Sequence, residues 1–124
     1  MLIQTLNCGL VGPEGLQFRE EKKNPESGEI EIVPLTLKKV LVKCLSQSII
    51  TNNSPEIRSL EKVMVHGDLI RKLKDCEDEI ELDSSVISEL KSRCASMFTC
   101  SLTWAVCQLL EGKDLPEIDS EYNV

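Results

Sequence analysis

A chain of 124 residues has the size of a single domain, and such a domain buries roughly two thirds of its unfolded surface without disulfides or metals. Its 14 basic and 21 acidic residues give a net charge of −7, which argues against non-specific binding to nucleic acid or to an anionic membrane. No apolar run could span a bilayer, and the first residues lack a signal-peptide pattern, so we expect a cytoplasmic protein with reduced cysteines.

The first third of the chain predicts short antiparallel strands. Residues 2–6 favour one short strand, and residues 16–19 and 29–33 alternate apolar and polar side chains, as half-buried strands do. The segment 20–28 is charged and contains proline and glycine, which predicts a mobile loop. We therefore expect a small antiparallel sheet or hairpin at the start of the domain.

The middle of the chain predicts two helices. Thr36 is a good N-cap for a first helix over residues 37–48. Ser54 followed by Pro55 predicts the start of a second helix, and Gly67 inside that helix is expected to kink or loosen it. The predicted buried residues are Leu37, Val40, Leu41, Cys44 and Leu45 in the first helix and Ile57, Leu60, Val63 or Met64, Leu69, Ile70 and Leu73 in the second.

A short extended segment and a third helix follow. Ile80 and Leu82 alternate with acidic residues, which favours a strand-like conformation. Asp83 or Ser84 then provides an N-cap for the helix. The predicted buried residues of this helix are Val86, Ile87, Leu90, Cys94 and Met97.

The apolar periodicity weakens over Phe98–Ser101, where hydroxyl side chains compete for backbone hydrogen bonds. Two interpretations are open: one continuous helix, or a break with Thr99 or Ser101 as the N-cap of a fourth helix. Gly112 predicts the end of the helical region. The buried residues predicted after the break are Leu102, Ala105, Val106, Leu109 and Leu110.

These elements predict an α+β fold, with short N-terminal antiparallel strands followed by three or four packed helices. We expect a single domain over residues 1–112, with its strands within residues 2–33 and its helices within residues 37–112. Residues 113–124 are polar and acidic, which predicts a flexible tail.

The residue types that carry catalysis or bind metals do not form a recognised pattern. The six cysteines lack the close Cys-x2-Cys to Cys-x4-Cys pairs of zinc sites, so we interpret them as small core residues. The single histidine, His66, excludes any site that needs two histidines, and the sequence does not place a cysteine beside it. Gly9, Gly12 and Gly15 fit turns rather than a phosphate loop. We expect no catalytic residue, no metal and no cofactor.

The most acidic segment of the chain, residues 75–83, contains six acidic residues in nine positions. It lacks the central glycine and the alternating aspartates of a calcium loop. The simpler interpretation is a solvated connection whose charges favour the N-terminus of the next helix. The functional hypothesis is a docking surface for a basic groove on a partner. The candidate partner-binding residues are Asp75, Glu77, Asp78, Glu79 and Glu81.

Two motifs resemble a set of small accessory proteins of tailed phages. One is the Leu-Thr-Leu-Lys start of a helix after a strand, at Leu35–Lys38. The other runs from Ile80–Asp83 to a final helix that ends with Leu-Leu-Glu-Gly at Leu109–Gly112. The similarity extends over residues 29–112, and it departs at residues 98–100, where the relatives are expected to have a Tyr-x-Pro-like break. None of the shared residues is catalytic, so the resemblance implies a small phage protein that works by binding.

Three functional hypotheses follow. The first is a non-enzymatic interaction protein that regulates a host or phage macromolecule in the host cytoplasm. The second is a structural or assembly component of the virion, of the connector or tail-assembly type. The third is a homo-oligomer that binds a small ligand such as a nucleotide between its subunits.

Overall fold

The computed structural model describes residues 1–118, and within them it has three two-stranded antiparallel sheets and four helices. The helices pack around one apolar core, so the expected α+β class is confirmed, with four helices rather than three. The elements in chain order are β1 (Leu2–Ile3), β2 (Arg19–Lys23), β3 (Ile30–Pro34), α1 (Leu37–Ser46), β4 (Ile50–Thr51), β5 (Ser54–Pro55), α2 (Leu60–Asp75), β6 (Ile80–Glu81), α3 (Ser84–Met97) and α4 (Cys100–Leu110).

The first strand does not pair with its neighbours in sequence. Leu2 lies opposite Glu81 and Ile3 lies opposite Ile80, so β1 and β6 form one antiparallel sheet. β2 and β3 form a hairpin, and β4 and β5 form a second, shorter hairpin after α1. The expected N-terminal sheet is therefore divided into one local hairpin and one strand pair between distant parts of the chain.

The β2–β3 hairpin corrects two sequence predictions. Residues 20–23 are predicted as a loop, yet they belong to β2 because their backbones pair with β3. Ile30 and Ile32 are predicted to be half-buried, yet they are 64% and 67% exposed. Neither isoleucine belongs to the core, since a hairpin of only two strands leaves much of both faces in solvent.

The first helix, α1, lies at the centre of the helical part and packs against the other three helices. The Thr36 side chain accepts a hydrogen bond from Lys39 N at 3.4 Å, as expected of an N-cap. All five residues of the predicted stripe are buried, and the helix ends at Ser46 rather than at residue 48. Periodicity and capping together identified this element correctly.

The second helix begins later than predicted. Ser59, not Ser54, is the N-cap, and its side chain accepts a backbone hydrogen bond at 3.2 Å. Asn52 and Asn53 have positive φ angles of 51° and 63°, which close a tight turn and place residues 54–55 in β5. Asparagine tolerates this left-handed conformation, so the turn competes successfully with the predicted helix start.

The buried face of α2 also differs from the prediction. His66 and Leu73 are its buried residues, and the helix continues through Gly67 without a break. Leu69 and Ile70 are half-buried. The predicted N-terminal half of the stripe lies in solvent, at Ile57, Leu60, Val63 and Met64.

The break between α3 and α4 is confirmed. Thr99 is the N-cap of α4, and its side chain accepts a hydrogen bond from Leu102 N at 3.3 Å. Thr103 Oγ1 donates to the Cys94 carbonyl oxygen at 3.1 Å, which ties the start of α4 to the end of α3. The predicted buried residues of α4 are all buried, and Gly112, with φ of 76°, follows its last turn.

The segment after α4 packs in part against the core. Leu115 is half-buried there, although residues 113–118 form no helix or strand. The rest of the predicted flexible tail, residues 119–124, lies outside the described residues. Over residues 1–118, none of the helices combines the length and apolar character needed to cross a membrane.

Candidate functional site

The acidic loop, residues 75–79, joins the end of α2 to β6. Its backbone is held by the N-terminal segment and by α1. Leu6 N donates to the Asp78 carbonyl oxygen at 3.3 Å, and Asn7 Nδ2 donates to that of Glu77 at 3.0 Å. Lys38 Nζ donates to the carbonyl oxygen of Cys76. The loop is therefore fixed to the body of the domain through its carbonyl groups.

The carboxylates of the acidic loop take no part in these attachments. Asp75, Glu77 and Asp78 are exposed, and over residues 1–118 their carboxylates accept no hydrogen bond and form no ion pair. Glu79 accepts only a 3.5 Å hydrogen bond from Gln4 Nε2. Four of the five candidate partner-binding residues thus have carboxylates available to a partner.

The fifth candidate residue, Glu81, has a different environment. Its carboxylate accepts a hydrogen bond at 2.7 Å from the amino group of Met1, and its backbone pairs with Leu2 in the β1–β6 sheet. Lys72 Nζ also donates to the Glu81 carbonyl oxygen at 3.3 Å. Glu81 therefore helps to hold the acidic loop in place, and its carboxylate is already partnered.

A cleft with a basic lining lies beside the acidic loop. It has a volume of about 570 Å³, and Asn7, Lys38 and Lys74 belong both to its walls and to the surroundings of the loop. We call it the lysine cleft. It is lined by Asn7, Glu20, Thr36, Lys38, Lys39, Val42, Lys43, Ser46, Gln47 and Lys74.

The charges of the lysine cleft are only partly compensated. Lys39 pairs with Glu20, the one acidic residue of the lining, and Lys38 is bound to a carbonyl oxygen. Lys43 and Lys74 form no ion pair with any residue from 1 to 118. The cleft is therefore a local positive region on a chain whose net charge is −7.

An ion pair between the buried Arg93 and the half-buried Glu56 joins α3 to the end of α1 and to the segment between β5 and α2, and it was not predicted from the sequence. Arg93 on α3 is 6% exposed, and it binds the Glu56 carboxylate through two nitrogens at 2.7 and 3.0 Å. Arg93 also donates to the carbonyl oxygens of Cys44 and Gln47 at the end of α1, at 3.0 and 2.9 Å. One guanidinium group therefore donates hydrogen bonds both to free carbonyl oxygens at the end of α1 and to the Glu56 carboxylate. The sequence did contain a signal for the burial of Arg93, because position 93 falls between Leu90 and Cys94 on the predicted buried face.

The ion pair changes the acidity of Glu56. The hydrogen bonds from Arg93 lower the pKa of the Glu56 carboxyl to about 2, against the opposing effect of burial. Arg58 contributes a further hydrogen bond at 3.1 Å. An anchored carboxylate with a depressed pKa is a poor general base near neutral pH, so we assign this cluster a structural role.

Over residues 1–118, His66 makes no hydrogen bond to a cysteine or hydroxyl group. It is 3% exposed, its Nε2 contacts the carboxylate of Glu89, and its Nδ1 has no hydrogen-bond partner within the described chain. The space around it, about 10 Å³, is lined mainly by apolar side chains such as Leu45, Leu69 and Leu90. His66 is therefore part of the packing between α2 and α3.

Four of the six cysteines belong to the core or pack against it, whereas Cys107 is half-buried outside the core cluster. Cys44 and Cys94 are fully buried, and a hydrogen bond with Cys44 together with burial raises the pKa of the Cys94 thiol. Cys100 is exposed, which corrects its interpretation as a core residue, because it lies in the first turn of α4 on the solvent side. Residues 1–118 contain no cluster of three or more histidine, cysteine, aspartate or glutamate side chains arranged to hold a metal ion.

Comparison of the chain with protein-family models, with curated proteins and with solved structures found no match.

Proposed function

We propose that this protein is a non-enzymatic interaction protein, of the kind that tailed phages use to regulate a host or phage macromolecule in the host cytoplasm. The observation that carries the proposal is the acidic loop: its backbone is fixed at Cys76, Glu77 and Asp78, and the carboxylates of Asp75, Glu77 and Asp78 have no partner over residues 1–118. The backbone of the loop is already ordered, so binding to a partner has to order only its side chains.

The chemistry of the loop determines the kind of partner. Unpaired carboxylates bind best to arginine or lysine side chains, and guanidinium groups add bidentate geometry. The proposed partner surface is therefore a basic groove on a protein. Electrostatic complementarity of this type raises the association rate and contributes to specificity.

The experiment compares two triple variants of equal charge change as baits for a partner in host extracts. One variant, Glu77→Gln with Asp78→Asn and Glu79→Gln, neutralises the acidic loop. The other, Glu26→Gln with Glu29→Gln and Glu31→Gln, neutralises exposed residues of the β2–β3 hairpin. We expect the wild type and the hairpin variant to retain the same partner.

The loop variant should lose that partner or bind it at least about tenfold more weakly, since several charge-assisted contacts are removed. Wild-type binding should also weaken with added salt, because the Debye length falls from about 10 Å at 0.1 M to about 3 Å at 1 M. Equal binding by both triple variants would contradict the proposed role of the acidic loop.

A second candidate function has its own observation. The lysine cleft combines a volume of about 570 Å³ with four lysines and a single acidic residue. Such a cleft is suited to a small ligand with several negative charges, such as a polyphosphate. The lining contains no aromatic residue on which a nucleobase could stack, so the phosphate groups would carry the recognition.

A further inference from the structure

Ile57 and the first half of α2 form an apolar face that no part of residues 1–118 covers. Ile57 is 98% exposed and Leu60 is 78% exposed, and Val63 and Met64 are about half exposed. Leu60, Val63 and Met64 follow helical spacing and so share one side of the helix. The four side chains expose roughly 300–400 Å² of apolar surface, comparable to the largest patch on an ordinary monomer, and such patches mark interaction sites.

Gly67 continues this face one turn further along α2. It lies seven residues after Leu60, and a Cβ atom placed on it meets nothing within 4 Å. Its backbone is that of an ordinary helix, so no local conformation requires glycine. Glycine is among the least favourable residues in a helix interior. The absence of a side chain leaves a gap in which another helix can approach closely.

We propose that the α2 apolar face, defined as Ile57, Leu60, Val63, Met64 and Gly67, binds the α2 helix of a second copy of this chain. In this pair the two α2 helices run antiparallel and cross near Gly67. The large apolar side chains of each copy then lie beside the gap at Gly67 and beside the half-buried C-terminal half of α2 in the other copy. An interface with a two-fold axis requires this kind of self-complementary surface.

Buried area and charge both favour a second copy as the occupant. A symmetric pair counts the exposed face twice, so these side chains alone contribute roughly 600–800 Å², and a rim of a few hundred Å² is enough to reach the lower limit of a specific interface, about 1,000 Å². The antiparallel direction also places Glu61, in the first turn, beside Arg71 near the end of the partner helix. Neither Glu61 nor Arg71 has an ion-pair partner over residues 1–118.

The test is the solution mass of the full chain, measured by sedimentation equilibrium over a range of concentrations. We expect reversible association from one chain of 13.9 kDa to two. Leu60→Glu should raise the dissociation constant at least about 100-fold, because it places a charge in an apolar interface. Gly67→Gln fills the gap with a helix-compatible side chain, and it should weaken association to a similar degree while circular dichroism shows an intact fold.

A matched control separates this face from other exposed apolar residues. Ile32→Glu introduces the same charge at an isoleucine of the β2–β3 hairpin that is 67% exposed, and it should leave the dissociation constant unchanged. If the solution mass is that of one chain at every concentration, the proposal is overturned, and a different protein becomes the candidate partner of this face. A dimer that survives both α2 variants, or that Ile32→Glu alone abolishes, also overturns it.

Discussion

At the scale of single residues, Arg93 and Glu56 join α3 to the segment that follows β5. The Arg93 guanidinium group binds the Glu56 carboxylate and two carbonyl oxygens at the end of α1. Because Arg93 is buried, loss of the carboxylate leaves a charge that is poorly compensated. Breaking the pair should therefore lower the free energy of unfolding markedly, whereas the intact pair contributes little more stability than an apolar contact at the same place.

The lowered pKa of Glu56 predicts a specific loss of stability in acid. The folded pKa of about 2 lies below the ordinary value of 4.5, so the contribution of the pair is complete above pH 4.5 and is lost as the pH falls toward 2. The difference between these two pKa values corresponds to about 3 kcal/mol, and the partial exposure of Glu56 reduces the contribution to about 2 kcal/mol. Urea denaturation at several pH values between 2 and 7 measures this loss.

Glu56→Gln should remove that part of the pH dependence and lower the free energy of unfolding near neutral pH. Glu31→Gln, at an exposed position of β3 without an ion pair among the described residues, should leave the wild-type pH profile unchanged. If Glu56→Gln and wild type lose stability in parallel as the pH falls, the pair does not act as described.

At the scale of elements, prediction succeeded where local signals coincide with burial. In α1 and α4 the N-cap and the apolar stripe agree, and the tertiary structure buries that same stripe. In α2 the helix start was misplaced, because the turn at Asn52 and Asn53 forms a hairpin from residues that also fit an N-cap. The exposed half of α2 shows that periodicity identifies an apolar face but not what lies against it.

For the candidate site, too, local sequence patterns predict one part and tertiary packing determines the rest. The exposure of the acidic loop follows from its composition, but its anchors Leu6 and Asn7 lie about 70 residues earlier in the chain. No local pattern predicts hydrogen bonds over that separation. The lysine cleft likewise requires Lys43 of α1 and Lys74 of α2 to lie on one surface, which only the packing of these helices determines.

Two glycines at different helix positions give opposite predictions. Gly67→Ala should raise the free energy of unfolding by about 0.5–1 kcal/mol, because the position is helical and the added Cβ meets no atom within 4 Å. Gly112→Ala should lower it by about 1 kcal/mol, because φ is 76° and the Cβ would lie 3.2 Å from Met1 Cε. Both are best measured by urea denaturation in the Leu60→Glu background, where association does not contribute. If both substitutions changed the free energy of unfolding in the same direction, the conformations assigned to Gly67 and Gly112 would be contradicted.

At the scale of the whole molecule, charge is segregated over a short distance. The acidic loop and the lysine cleft share a boundary at Asn7 and Lys74. A dimer built on the α2 apolar face would carry an acidic loop at each end of the helix pair, since each loop begins at the last residue of α2. Two such loops could engage a partner with two basic sites more tightly than one loop does.

The lysine cleft gives the last prediction, which concerns a ligand rather than a protein. Tripolyphosphate should stabilise the folded chain, with a rise in melting temperature of several degrees as its concentration passes about 100 times its dissociation constant. Sodium chloride at matched ionic strength should produce a smaller rise, because it screens charge without occupying the cleft. Lys43→Gln with Lys74→Gln should abolish the additional effect of tripolyphosphate. The control, Lys23→Gln with Lys62→Gln, removes the same charge from positions outside the cleft lining and should retain the effect. Equal stabilisation of both double variants would show that tripolyphosphate acts on the surface as a whole and would exclude the cleft as its binding site.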